Sequence, residues 1–347
     1  MPQIIDHLAS LTGLRDRDTL DASLAHAIRD LLAPQLVSIL RLVGEEGDQR
    51  WLNRATLTQD AAAPTADPAW VDLAQLPRAE ERPEWLDCLQ HARVLGLPSL
   101  PGEPHCTLFP MVFDTGAVGV ILVRTAEPVD EPMRRLVFTV LRIYRNVQSL
   151  LDYSERDSLT GLLNRKIFDD SFYKVAPTTA KASSEEDAQG DRRHVSQPPR
   201  YWLGVLDIDH FKSVNDRFGH LIGDEVLLLL SRIMRGSFRY SDQLYRFGGE
   251  EFVVLLLCAD EADAMAALQR FRRAVESYLF PQAGTITVSI GFTSIEPGDT
   301  PAGAFERADR AVYHAKHHGR NQVCSHAALR REGFIEDDKH VGDVELF

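Results

Sequence analysis

Cysteine is scarce and badly spaced for chemistry. The four residues, Cys88, Cys106, Cys258 and Cys324, include no C-x-x-C pair. That excludes a thioredoxin-like redox motif and a zinc ribbon. Basic charge is also in deficit: 38 Lys and Arg stand against 51 Asp and Glu, a formal net charge of -13. A protein that coats nucleic acid needs a basic face for the phosphates, so no nucleic-acid partner is expected. A nucleotide-sized substrate stays open, because metal ions in a local site reverse the local field. No stretch approaches the roughly 20 apolar residues that cross a bilayer. The first residues, MPQIIDHLASLTGLRDRD, lack the basic region and apolar run of a signal peptide. The reading is a cytoplasmic chain without a membrane span.

The 347 residues are 44% hydrophobic and 26% charged, a globular balance with room for two domains. Leu20, Leu24, Ile28, Leu31 and Leu32 form a helical stripe. A β-rich run follows at 36–43, then a Pro- and Ala-rich stretch at 60–104. Strand-like runs at 107–112 and 118–123 flank Asp114-Thr115-Gly116, a hairpin signal. A long helix is predicted over 131–155. Its Leu136, Val140, Ile143, Val147 and Leu150 alternate spacings of four and three, the a/d seam of a two-stranded coiled coil. The same seam suits a helix packed on its own domain. Cys88 with His91, and the adjacent pair His105-Cys106, are candidate metal or haem ligands, although ordinary packing is the commoner fate of buried cysteine.

Residues 177–199 hold a single large aliphatic side chain, Val195, and read as a flexible surface insertion. From Arg200 the pattern becomes β-α-β-β-α-β with extras. The strand 201–208 leads into a helical region to about 238, and RFGGEEF sits between β-formers as a hairpin. Helices at 262–279 and 304–317 flank a strand at 286–295, and a short strand closes at 322–325. That order predicts a ferredoxin-like, palm-like sheet with helices on one face. The end of the chain, 327–347, reads as an acidic tail.

Three carboxylates are candidates for one site. Asp207 ends a buried strand, and Glu250 and Glu251 lie in the hairpin expected beside it. Magnesium prefers hard oxygen ligands of this kind. Gly248 and Gly249 permit positive φ and close approach of backbone to a ligand. Asn215 and Asp224 are further polar side chains in the helical region after the strand. Asp224 also fits a helix N-cap, preceding Glu225-Val226-Leu227. Lys316 and Arg320 are spaced i,i+4, which would place two cations on one helix face.

These residues fall in blocks: Asp157-Ser-Leu-Thr-Gly-Leu-Leu-Asn164-Arg165, Asp207-Ile-Asp-His-Phe-Lys212, Asn215-Asp216, Gly219-His220, Gly223-Asp224, Arg246-Phe-Gly248-Gly249-Glu250-Glu251-Phe252, and Ala315-Lys316 with Gly319-Arg320-Asn321. In this order they resemble the GGDEF family of diguanylate cyclases, from about Asp157 to Val323. The element order over residues 1–150 resembles GAF sensor domains.

Together these resemblances imply an α/β (α+β) chain: a GAF-like sensor domain (1–150), a signalling helix (131–155) and a GGDEF domain (156–326). The implied reaction condenses two GTP into cyclic di-GMP across a homodimer formed by that helix and the catalytic domains. Two Mg²⁺ per site, with Mn²⁺ as an alternative, are expected on Asp207, the carbonyl of Ile208, and Glu250, with Glu251 close by. Glu250 is also the candidate base, and Glu251 and Lys212 complete the catalytic set. Phe211, Asn215, His220, Asp224, Arg246, Gly248, Gly249, Lys316 and Arg320 are expected around the substrate. Arg239 and Asp242 match the family's R-x-x-D inhibitory product site. A silent cyclic di-GMP receptor is the alternative. The sensor domain's ligand or partner is open.

Overall fold

A computed structural model describes residues 17–44, 47–68, 71–98, 100, 102–113, 116–176 and 200–335. The insertion 177–199, the turn residues Asp114 and Thr115, and 336–347 of the expected tail lie outside the described residues. The chain divides into two compact units, residues 1–154 and 155–347.

The first unit begins with α1 (Arg17–Leu32), followed by β1 (Leu36–Val43) and β2 (Arg50–Thr58). Then come α2 (Pro83–Gln90), β3 (Leu95–Leu97), β4 (His105–Phe113), β5 (Gly116–Thr125) and α3 (Glu131–Glu155). The five strands form one antiparallel sheet in the order β2-β1-β5-β4-β3. Alternation along the strands serves two cores. Val37, Ile39, Phe109, Met111, Ile121 and Val123 pack with α1 and α3. Leu40, Trp51, Leu108, Val120 and Leu122 pack with Cys88 and Leu89 of α2. Cys88 is buried, its thiol pushed up to about 12 by burial, and its Sγ meets the carbonyl oxygen of Arg93 at 3.1 Å. His91 pairs with Asp87 at 2.9 Å.

The stripe that α3 buries is Val137, Val140, Leu141, Tyr144, Val147 and Leu151. Two members of the predicted heptad seam, Val140 and Val147, therefore serve the unit's own core. Leu136 and Leu150 stay 44% and 69% exposed. Beneath the helix, Asp21 accepts from Arg41 at 2.9 Å and from Tyr144 at 2.5 Å. Arg41 also meets the Tyr144 hydroxyl and donates to Gln148. A buried carboxylate is tolerable only with such partners.

In the second unit, β6 (Leu163–Asn164) leads into α4 (Arg165–Val175), and β7 (Arg200–Ile208) into α5 (Phe211–Phe218) and α6 (His220–Ser237). The hairpin of β8 (Gln243–Gly248) and β9 (Glu251–Cys258) comes next, then α7 (Glu261–Ser277). After them stand β10 (Leu279–Phe280), β11 (Gly284–Thr285), β12 (Val288–Ser294), α8 (Pro301–His317), β13 (Val323–Ser325) and α9 (His326–Arg331). Six strands form the sheet β13-β12-β7-β9-β8-β6; β12/β13 and β6/β8 are parallel and the other pairs antiparallel.

Helices cover both faces of this sheet, not one as the element order suggested. Trp202, Leu206, Phe252, Val254 and Leu256 pack with α6 and α7. Leu203, Val205, Tyr245, Val253 and Leu255 pack with α4 and α8. A half-solvated strand would alternate polar and apolar residues, but β7 and β9 are apolar on both sides because both sides are buried. On the α8 side the approach is very close. A Cβ at Gly291 would stand 2.2 Å from the Ala308 carbonyl oxygen and 2.4 Å from the Val312 nitrogen.

Candidate active site

The site forms at the C-terminal end of β7. Asp207 and Asp209 share strand parity with Leu203 and Val205, so Asp207 points to the side where α8 lies. Lys316 of α8 reaches it there: Nζ is 2.7 Å from Asp207 Oδ2. Asp207 is 7% exposed, and its Oδ1 is buried without a hydrogen-bond partner. Burial lifts this carboxyl above its usual range despite the hydrogen bond and charge of Lys316, and Glu251 and Asp209 push the same way.

The β8–β9 hairpin brings the other two carboxylates. Asp207 is in register with Glu251 across β7 and β9. Gly248 at φ +146° and Gly249 at φ +52° make the tight turn, with open space where a side chain would stand. Glu250, half-buried at the turn, has its carboxyl raised by burial and then by the charge of Asp207. Among the described residues no three His, Cys, Asp or Glu side chains stand close enough to hold one ion. The three carboxylates share one field, which Lys316 meets at Asp207. An orphaned buried carboxylate oxygen within a set of hard oxygen donors fits a divalent cation of the magnesium type.

Asn215 and Asp224 stand on α5 and α6, against the opposite core. Asn215 Oδ1 lies over the backbone of Gly223, where a Cβ would come within 2.0 Å of it. Asp224 is exposed and sits within α6, whose N-cap is Gly219. The N-cap reading of Asp224 is therefore corrected: the helix starts one turn earlier, at His220. Lys212 and His220 are exposed near the starts of α5 and α6. Phe211, expected near substrate, is 5% exposed and belongs to the core. Its ring lies under Gly223.

Lys316 and Arg320 do not share a helix face. Helix α8 stops at His317, Gly319 takes φ +107°, and Arg320 and Asn321 follow at +60° and +45°. Three left-handed residues in a row carry Arg320 into a turn, which overrides the i,i+4 spacing.

Arg246 is committed to bracing. It donates to Asp157 Oδ1 at 3.0 Å and, through Nε and Nη2, to the Gly249 carbonyl at 3.2 and 2.9 Å. It ties the hairpin tip to the segment Asp157-Ser-Leu-Thr160, where Asp157 also accepts from the Thr160 amide and hydroxyl. In the R-x-x-D block, Asp242 accepts from the Arg239 amide at 2.8 Å, and burial raises its carboxyl. The Arg239 side chain is exposed.

One residue of this site escaped the sequence reading: Asp209, 5% exposed. It accepts from Thr287 and Ser289 hydroxyls, both at 2.7 Å, and from the Asn321 amide at 3.0 Å. The signal was a second carboxylate two residues beyond Asp207 on a buried strand end.

Comparison with known proteins locates this unit. Residues 154–322 match the family model described as diguanylate cyclase, GGDEF domain. Diguanylate cyclase DgcP of Pseudomonas aeruginosa is 40% identical over 170 residues, covering 48% of this chain and 23% of the relative. Response regulator PleD of Caulobacter vibrioides is 36% identical over 189 residues, covering 53% and 38%. The crystal structure of the GGDEF domain of DgcB from Caulobacter crescentus in complex with c-di-GMP is 34% identical. It covers 50% of this chain and 93% of that one, with a TM-score of 0.42. The chain spans from about a quarter to under half the length of those two curated relatives. What this chain shares with the GGDEF family lies in residues 154–322, within its C-terminal unit.

Proposed function

We propose that this chain is a diguanylate cyclase that condenses two GTP into cyclic di-GMP and two pyrophosphates. The observation that carries the reading is Asp207. It is buried, with one oxygen on Lys316 and the other without a partner, in the field of Glu250 and Glu251 beside a glycine turn. The named cyclases among its relatives support it.

In the reaction each 3′-oxygen forms a bond to the α-phosphorus of the opposite GTP. The bond from that phosphorus to the β-phosphate bridging oxygen breaks, and pyrophosphate leaves. Glu250 accepts the 3′-hydroxyl proton, its carboxyl's affinity for protons raised by burial and by the charge of Asp207. Asp207, the Ile208 carbonyl and Glu250, with Glu251 close by, would hold two magnesium ions, which when bound neutralise charge on the triphosphate. Lys212, Lys316 and Arg320 present fixed cations to the phosphates, and Asn215 and Asp224 accept from the guanine edge.

One protomer holds one nucleotide, so ring closure requires two sites facing across a twofold axis. Exposed Leu136, Leu150 and Tyr153 of α3 are the apolar surface for such a pair. Arg239 and Asp242 form the product-inhibition site, and the first unit, read as GAF-like, regulates the second.

The test is incubation with GTP and Mg²⁺, then with ATP, followed by chromatography and mass analysis. Cyclic di-GMP from GTP alone, lost in Asp207→Ala, is expected, and Arg239→Ala should sustain turnover as product accumulates. No product from either nucleotide, with the protein freed of bound dinucleotide, would sink the reading in favour of a silent receptor.

A further inference from the structure

We infer that Asp209 is a positioning residue: its carboxylate holds the turn Gly319-Arg320-Asn321 so that Arg320 faces the triphosphate. This rests on the cyclase reading above.

Asp209 is not a spare ligand. Oδ1 accepts from Ser289, and Oδ2 accepts from both Thr287 and the Asn321 amide. Its own amide donates to the Thr287 carbonyl at 2.9 Å. It lies 5% exposed at the end of β7. A buried carboxylate so fully satisfied is a rigid fixture.

What it fixes is a turn that L-residues resist. Arg320 and Asn321 are consecutive non-glycine residues at positive φ, and such conformations persist only where the surroundings over-determine them. Two backbone bonds do so here: the Arg320 amide to the Ala315 carbonyl at 2.9 Å, and the Asn321 amide to Asp209. The Asn321 side chain adds a second tie. It accepts from Arg272 and donates to Glu276 of α7, both at 2.7 Å. Arg320 itself is exposed, and the backbone of this turn sets where its side chain starts. The strand end thus uses two carboxylates two residues apart: Asp207 at the reaction centre, and Asp209 holding the turn that carries a phosphate-binding cation.

The experiment uses the full chain with Mg²⁺ and titrates a non-hydrolysable GTP analogue and GMP by calorimetry. GMP lacks the β- and γ-phosphates that Arg320 meets. Asp209→Ala is expected to weaken the triphosphate analogue by about tenfold, the scale of one charged hydrogen bond, with GMP within about twofold of wild type. In an Arg320→Ala background the same change should cost less than about twofold, because contacts in one unit are not additive. Equal weakening of GMP and the analogue, or full additivity with Arg320→Ala, would overturn the inference.

If Asp209→Ala does not fold, Asp209→Asn carries the test. Its single carbonyl oxygen cannot serve all three donors with charge, so about a threefold loss restricted to the analogue is expected. Wild-type affinity in Asp209→Asn would then overturn it. A wild-type chain that binds neither analogue nor GTP condemns the cyclase reading instead, which keeps the two failures apart.

Discussion

Gly223→Ala should separate stability from base recognition. The new Cβ would stand 2.0 Å from Asn215 Oδ1, 3.0 Å from its Cγ and 3.3 Å from Phe211 Cζ. The nearest obstacle is the free end of a side chain, so Asn215 swings aside while the backbone holds. An interior helical glycine replaced by alanine gains about 0.8–1.0 kcal/mol of propensity. Forcing Asn215 off its rotamer costs about 0.5–1.5 kcal/mol. The two nearly cancel, and the melting temperature of the second unit should move by less than about 4 °C. Substrate binding has no such compensation. If Asn215 meets guanine as proposed, its displacement forfeits about 1–3 kcal/mol, roughly a 5- to 150-fold rise in KM for GTP. Calorimetric melting and steady-state kinetics on the same preparation give both numbers. An unchanged KM with an unchanged melt would remove Asn215 from the nucleotide site. A loss of more than about 3 kcal/mol would instead mean that the Phe211 contact dominates.

Gly291→Ala meets backbone of α8 rather than a side-chain tip, so it should cost about 3 kcal/mol or more in urea unfolding; a loss below about 1 kcal/mol would refute the close packing. Lys316→Met leaves Asp207 buried and unpaired, so a double-mutant cycle with Asp207→Asn should show a coupling of about 1–3 kcal/mol, and an additive cycle would refute the pair. For pH, burial opposes ionisation of Asp157, but hydrogen bonds from Thr160 and Arg246 outweigh it and hold its carboxyl below the usual value. A depressed carboxylate contributes stability above its unfolded pKa of about 3.9 and loses it as pH falls through the folded value. The melting advantage of wild type over Asp157→Asn should therefore shrink as pH drops below about 4, and a constant gap would refute the brace.

The chemistry of the second unit was legible because its residues cluster in short blocks, and local patterns place them on a strand end and a hairpin. What lay hidden depended on distance in sequence or on backbone handedness. Lys316 meets Asp207 only because Gly291 lets α8 down onto the sheet. Asp209 looked idle because its partners Thr287, Ser289 and Asn321 arrive by topology alone. The i,i+4 spacing of Lys316 and Arg320 misled, although Gly319 between them was a helix stop in plain view. Helices on both faces were signalled by the unbroken apolar run of β7, which the element order overruled. In the first unit the elements came through as helix, strand, hairpin and long helix, but the buried stripe of α3 is centred on Val137, Leu141 and Tyr144, beside the predicted seam. Several residues on that helix are apolar on more than one side, and periodicity cannot say which side a fold will use.

The six-stranded sheet acts as a partition. Asp207 and Lys316 belong to the layer shared with α8, while Asn215 and Gly223 belong to the layer shared with α5 and α6. The two layers carry separate hydrophobic clusters on opposite faces of the sheet. A substitution that repacks one core should, on the proposed reading, disturb mainly the residues on its own face of the sheet. On the cyclase reading proposed above, only Lys212, on the same helix as Asn215, would join the base end to the phosphate end, so nucleobase preference could drift while the Asp207–Lys316 pair keeps its geometry.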